Sequence, residues 1–225
     1  MKQQLTGIPG IDYRFDDSAL LNEALTHRSL GSHNYERLEF LGDSILNFVV
    51  ASLLFAARPD DNEGNLSRLR SRVVRGETLA RVARRLDLGE HLRVGEGELK
   101  SGGYLRDSIL ADALEAILGA IFLDGGFDAC ADVIAVVFGP VIESLPDAEA
   151  LKDPKTRLQE WLQGRGRPLP EYQLVGEEGA EHAKRFFVRC RLPDSADEEE
   201  AEGASRRKAE QAAAAVLLQR LEKPL

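Results

Sequence analysis

The sequence predicts a mostly α protein: a long all-helical first domain followed by a small α-β-β-β-α domain. Three observations lead there. Apolar residues before Pro146 recur at helical spacing, and no segment there alternates convincingly with period two. The character changes across Leu145-Pro146-Asp147-Ala148-Glu149-Ala150. Beyond it, Arg185 to Leu192 alternates, with Phe186, Val188, Cys190 and Leu192 on one face and Arg185, Arg189 and Arg191 on the other. A chain of 225 residues is long enough for two such domains. We place them at 1–146 and 152–225, with 147–151 as a linker.

Residues 16–27 read as a short helix with Leu20, Leu21, Ala24 and Leu25 inward. A long helix follows His33-Asn34 and stops before Arg58-Pro59, because the residue before a proline avoids helical geometry. Its buried stripe is Leu38, Leu41, Ile45 and Phe48. Asp60 to Gly64 is a turn, and Leu66–Val74 and Glu77–Leu86 are helical. Val94–Gly103 is Gly-rich and irregular. Asp107–Asp124 is an apolar helix ended by Gly125-Gly126, and Phe127–Leu145 supplies another. In the second domain Asp153 is an N-cap with Pro154 at the first helical position, and the helix ends at Gly164-Arg165-Gly166. Glu171–Val175 and Arg185–Leu192 are strands, and Ala204–Leu221 is the last helix. Between them Asp197-Glu198-Glu199-Glu200-Ala201-Glu202 has poor β-propensity, so the third strand is expected to be short or irregular.

Net charge is −9, which by itself argues against a nucleic-acid partner. Its distribution reverses that. Residues 1–150 carry 15 Lys/Arg against 24 Asp/Glu, and residues 151–225 carry 14 of each, five of those acids lying in the 197–202 run. Outside that run the second domain is basic and can meet phosphates. The two cysteines, Cys130 and Cys190, fall in different domains and form no disulfide framework or zinc set. The N-terminus has no apolar signal segment, and the apolar run from Ile45 to Ala57 is too short to span a bilayer. A cytoplasmic protein without a membrane partner is expected.

Glu36, Glu39 and Asp43 fall at i, i+3 and i+7, which gathers three carboxylates on one helical face. No Lys or Arg lies one turn from Glu39 or Asp43. Downstream, Asp112 and Glu115 interrupt a nearly continuous apolar helix at i, i+3, again without a basic neighbour. Burying unpaired carboxylates costs several kcal/mol. Two acids from each of two helices make an oxygen-only ligand set suited to Mg²⁺ or Mn²⁺. Arginines such as Arg70, Arg72 or Arg75 could neutralise them instead. A ferritin-like redox bundle needs Glu-x-x-His pairs, and the chain has none.

Glu36-Arg37-Leu38-Glu39-Phe40-Leu41-Gly42-Asp43-Ser44 resembles the signature of the ribonuclease III family. Ala24-Leu25-Thr26-His27-Arg28-Ser29 and Leu110-Ala111-Asp112-Ala113-Leu114-Glu115-Ala116 resemble its flanking motifs. The resemblance implies a Mg²⁺-dependent endoribonuclease, with Mn²⁺ a substitute, whose catalytic ligands are Glu39, Asp43, Asp112 and Glu115. It implies additional acids at Glu36 and Glu63, for scissile-site recognition or a second metal. It also implies a homodimer in which Phe40 inserts into the partner, with no small-molecule substrate. The products carry 5′-phosphates, 3′-hydroxyls and short 3′ overhangs, and ribosomal-RNA precursors and structured transcripts are the substrates. His27 is expected to be a structural hydrogen-bonding residue.

Ser205-Arg206-Arg207-Lys208 opens the last helix with three cations, which oppose the macrodipole unless an anion docks there. Residues 152–223 resemble a double-stranded-RNA-binding domain. By that resemblance Thr156, Gln159 and His182 face the minor grooves, and Arg206, Arg207 and Lys208 face phosphates. Glu210 departs from the pattern, standing where many such domains carry lysine. The alternative is a double-stranded-RNA-binding protein without catalysis, which would have no use for Asp112 and Glu115.

Overall fold

The computed structural model describes residues 6–147, 152–180 and 183–222. The chain divides into two compact units, Met1–Glu149 and Ala150–Leu225.

In the first unit α1 spans Ser18–Ala24, capped by the Asp17 carboxylate, which accepts from the Ala19 amide. It is shorter than expected because the chain turns into a 3-10 segment at Arg28–Leu30, capped by His27. α2 (Glu36–Ala57) stops before the Arg58-Pro59 step, as the proline requires. α3 (Glu63–Val73) starts on Asn62, whose side chain accepts from the Asn65 amide. α4 (Gly76–Arg85) follows. The stretch expected to be irregular holds one short helix, α5 (Glu96–Lys100).

α6 runs from Asp107 to Glu143 as two helices joined across Gly126, whose φ of 83° no side chain tolerates well. Asp124, just before that kink, ties the N-terminal segment down. It accepts from Tyr13 Oη at 2.7 Å and from the Asp16 and Asp17 amides at 2.9 and 2.8 Å.

The core is α2 against α6. Leu46, Val50 and Leu54 meet Leu110, Leu114, Ile117 and Ile121, all fully buried. Phe48 does not join them. It is 62% exposed and stacks edge-on with Phe127. Helical spacing places it beside Ile45 but cannot say whether the surface it meets belongs to the same chain. The Ile45–Ala57 run, expected to be too short to span a bilayer, is part of α2, which by length and composition alone is long and apolar enough to cross one, with a third of its apolar window buried.

In the second unit α7 (Pro154–Gln163) and α8 (Arg206–Glu222) pack on an antiparallel sheet of order β1 (Glu171–Glu178), β2 (Arg185–Arg191), β3 (Glu198–Gly203). Leu158, Leu162, Val188, Cys190, Leu217 and Leu218 form its core.

β3 is neither short nor irregular: six residues pair in register with β2. Its acids are matched by charge across the sheet. Arg189 Nε reaches Glu200 at 2.7 Å, Arg185 reaches Glu202 at 2.9 Å, and Arg220 of α8 reaches Asp197 and Glu199 at 2.6 and 2.8 Å. Exposed pairs contribute below about 1 kcal/mol each. Arg189 stands directly opposite Glu200 on the ladder, and together with the Arg185 and Arg220 pairs it offsets what the glutamates lack in propensity. Both cysteines are reduced and buried, one in each unit, and burial pushes their thiols up to about 11.

Candidate metal centre and nucleic-acid interface

The crossing of α2 and α6 is closer than side chains permit. A Cβ on Gly42 would stand 1.8 Å from the Glu115 carbonyl oxygen, and one on Gly119 would stand 2.2 Å from that of Leu38. Two glycines thus let two backbones touch, which carries the acid face of α2 onto that of α6. Glu39, Asp112 and Glu115 each offer a carboxylate oxygen within 4.8 Å of the others, all three partly buried. Asp43 is exposed at the edge of this trio, with Asn47 Nδ2 donating to its Oδ1 at 2.8 Å.

Among the described residues no Lys or Arg forms an ion pair with Glu39, Asp112 or Glu115. Arg70 and Arg72 of α3 and Arg75 before α4, which could have neutralised them, do not. An arginine approaches from the 3-10 turn before α2: Arg28 lies 3.5 Å from Glu36. The electrostatics follow. Burial, then Asp112, Glu36 and Asp43, push Glu39 up to about 7 against a smaller opposing pull from Arg28. Burial, then Asp43, Glu39 and Asp112, push Glu115 up to about 8. Burial raises Asp112 too, while Arg28 and His27 oppose it. Crowded, half-buried carboxylates without a protein cation fit a hard divalent ion, whose charge would reverse each of these shifts.

A pH dependence follows from these two glutamates. Their carboxyls titrate near 4.5 unfolded and near 7 and 8 folded, so the folded protein holds extra protons between those values. In EDTA their contribution is complete below pH 4.5 and is lost as pH rises through about 8. We expect Mg²⁺ to raise the melting temperature more at pH 8 than at pH 6. Differential scanning fluorimetry checks this, and an equal Mg²⁺ effect at both pH values would contradict it.

Glu36 stands at the rim, on the side of Arg28. Glu63 does not join the cluster. It opens α3, accepts from Ser67 Oγ at 2.8 Å, and lines a mainly apolar cleft with Leu54, Phe55 and Leu66. The α2 residues of that cleft, Ala51, Leu54 and Phe55, lie about 18–24 Å along the helix from Glu39. Phe40 is 77% exposed, and Phe48 and Phe55 continue its stripe along α2 at 62% and 72%. The i, i+8, i+15 spacing is the available signal for all three, and the family resemblance points to Phe40 alone. His27 is buried and bonded through Nδ1 to Ser29 Oγ at 2.8 Å, a structural role as expected.

In the second unit Thr156 and Gln159 are exposed on α7, and Arg206, Arg207 and Lys208 on the first turn of α8. His182 lies outside the described residues. Glu210 is not a mere gap in the basic row. It accepts from Lys155 at 2.6 Å and from Arg206 at 3.1 Å, tying α7 to α8 behind the exposed cations. Lys155, which the sequence reading missed, also lies 4.3 Å from the centre of the Tyr172 ring. Its position at the start of a helix facing another helix start was the only hint.

Residues 17–140 match the family model for Ribonuclease-III-like domains, and residues 154–221 match that for the double-stranded RNA binding motif. The chain is 54% identical to Ribonuclease 3 of Hahella chejuensis over 204 residues, covering 91% of this chain and 90% of that one. It is 56% identical to Ribonuclease 3 of Thiobacillus denitrificans over 204 residues, with the same coverage. The nuclease domain of ribonuclease III from Campylobacter jejuni, in a structure concerned with a region of dimer formation, superposes with a TM-score of 0.56. Identity there is 43%, over 57% of this chain and 92% of that one.

Proposed function

Because this chain belongs to the ribonuclease III family and is a double-strand-specific endoribonuclease, we propose that it works by Mg²⁺-dependent hydrolysis at the crossing of α2 and α6. The observation that carries the reading is the trio Glu39, Asp112 and Glu115, three carboxylates within reach of one cation. Residues 1–146 supply the chemistry and residues 152–225 hold the duplex. Glu39, Asp112 and Glu115, with Asp43 at the rim, would hold the ion. Bound there, Mg²⁺ activates water and neutralises charge on the reacting phosphate. Asn47 fixes one oxygen of Asp43 and so orients that carboxylate toward its task. The products carry 5′-phosphates and 3′-hydroxyls with short 3′ overhangs, and the substrates are ribosomal-RNA precursors and structured transcripts in the cytoplasm.

The working form is a homodimer. Three exposed phenylalanines on one face of α2 need covering, and a second copy of the same face covers them symmetrically. Phe40 of one protomer enters the apolar cleft of the other. Because Glu63 lines that cleft, the same contact carries the partner's Glu63 toward Glu36, which gives an otherwise isolated acid a place at the site. Thr156, Gln159 and His182 read the minor grooves, and Arg206, Arg207 and Lys208 hold phosphates.

A long RNA duplex incubated with Mg²⁺, with Ca²⁺ and with EDTA tests the reading, binding and cutting being scored separately. We expect cutting with Mg²⁺ only, and survival of single-stranded RNA and of DNA duplex. Binding without cutting in every condition would instead favour a binding protein. Sedimentation under the same conditions should give a dimer, and a monomer that cuts both strands would overturn the assigned role of Phe40.

A further inference from the structure

Beside the acid trio lies a cleft that the metal chemistry does not use. Four carboxylates, Glu36, Glu39, Glu98 and Asp112, form part of its wall, and two guanidiniums, those of Arg28 and Arg106, line it as well. They come from separate places in the fold: Arg28 from the 3-10 turn before α2, Arg106 from the residue before α6. Each pairs with a carboxylate that also lines the cleft, and each is left with donors to spare. The Arg28 side chain is 70% exposed and pairs with Glu36 at the rim, at 3.5 Å. Arg106 meets Glu98 at 3.2 Å and donates to Ser101 Oγ at 3.1 Å, with half of its side chain open. A guanidinium has five N–H donors, so neither arginine is saturated by these contacts.

We propose that Arg28 and Arg106 form a seat for the RNA backbone phosphate next to the one being cut. The proposal rests on the nuclease reading above. Successive phosphates are near neighbours along a strand, so a strand whose scissile phosphate lies at Glu39 and Asp112 must set another one beside the trio. An acidic wall there repels it. Two arginines in the same cleft turn that repulsion into a charge-assisted contact with bidentate geometry. The weak rim pair of Arg28 with Glu36 is one that a phosphate can displace. The seat would set how far the strand advances before it is cut, and so act on positioning as well as affinity.

The test measures binding of uncut duplex in Ca²⁺ over a range of salt, for wild type, R28Q, R106Q and the double variant. Each single variant should bind about tenfold more weakly, and the slope of log Kd against log salt should fall by about one per arginine removed. R28K should keep the wild-type slope. A duplex carrying one uncharged methylphosphonate beside the scissile bond should bind wild type more weakly, yet bind the double variant no worse than the normal duplex. Unchanged slopes in variants that melt like wild type would overturn the proposal. So would equal sensitivity of wild type and double variant to the methylphosphonate. If wild type itself fails to cut with Mg²⁺, the nuclease reading falls. If wild type cuts and the slopes do not move, that reading stands and the seat alone is wrong.

Discussion

Glu115→Gln is expected to lower the rate of duplex cleavage by roughly 10³-fold or more at saturating Mg²⁺, while binding of the uncut duplex stays within a few-fold. Glutamine keeps the shape and removes the charge. Glu115 is the acid most strongly raised in the trio, pushed to about 8 by burial and by Asp43, Glu39 and Asp112. It is therefore the group whose neutralisation most relieves the metal-free protein. The variant should melt higher than wild type in EDTA at pH 8 and gain little from Mg²⁺. That pairing of a lost activity with a gained stability separates a ligand from a structural residue, for which both would fall. Single-turnover cleavage, filter binding in Ca²⁺ and a melting curve in EDTA suffice. Cleavage within tenfold of wild type would remove Glu115 from the centre, and loss of binding along with cutting would make it structural.

The acid centre was legible because its signal is local. Two carboxylates at i, i+3 on an apolar helix share a face whatever the helix packs against, and the absence of a cation one turn away is visible in the string itself. The basic first turn of α8 was legible for the same reason, whereas the two α7 positions came from the resemblance alone. What escaped depends on partners distant in sequence. Arg28 reaches the site from a loop. β3 forms because arginines on β2 and α8 wait for its glutamates, whereas propensity treats each residue alone. Phe48 was placed in the core because an apolar residue left on the surface has the same period as one that is buried. Glu63 was grouped with the other acids by resemblance, and within one chain it is far from them.

The second large effect concerns two residues that carry no chemistry. Gly42→Ala is expected to destabilise the nuclease unit by more than about 3 kcal/mol, lowering its melting temperature by roughly 10 °C. Gly119→Ala should act alike. The new methyl at position 42 would stand 1.8 Å from the Glu115 carbonyl oxygen, and at 119 it would stand 2.2 Å from that of Leu38. These neighbours are backbone atoms of packed helices, so no side chain can swing aside and the helices must part by more than an ångström. The residue struck by the first methyl is Glu115 itself, so the parting also withdraws a ligand from Glu39. The Mg²⁺-induced rise in melting temperature should therefore shrink with stability. Gly76→Ala, at the first position of α4 and with nothing within 4 Å of its added carbon, is the control. There the removal of glycine should leave stability unchanged or raise it by up to about 1 kcal/mol. If Gly42→Ala melts within 2 °C of wild type, the helices do not touch at this crossing, and the acids of α2 and α6 must meet by some other geometry.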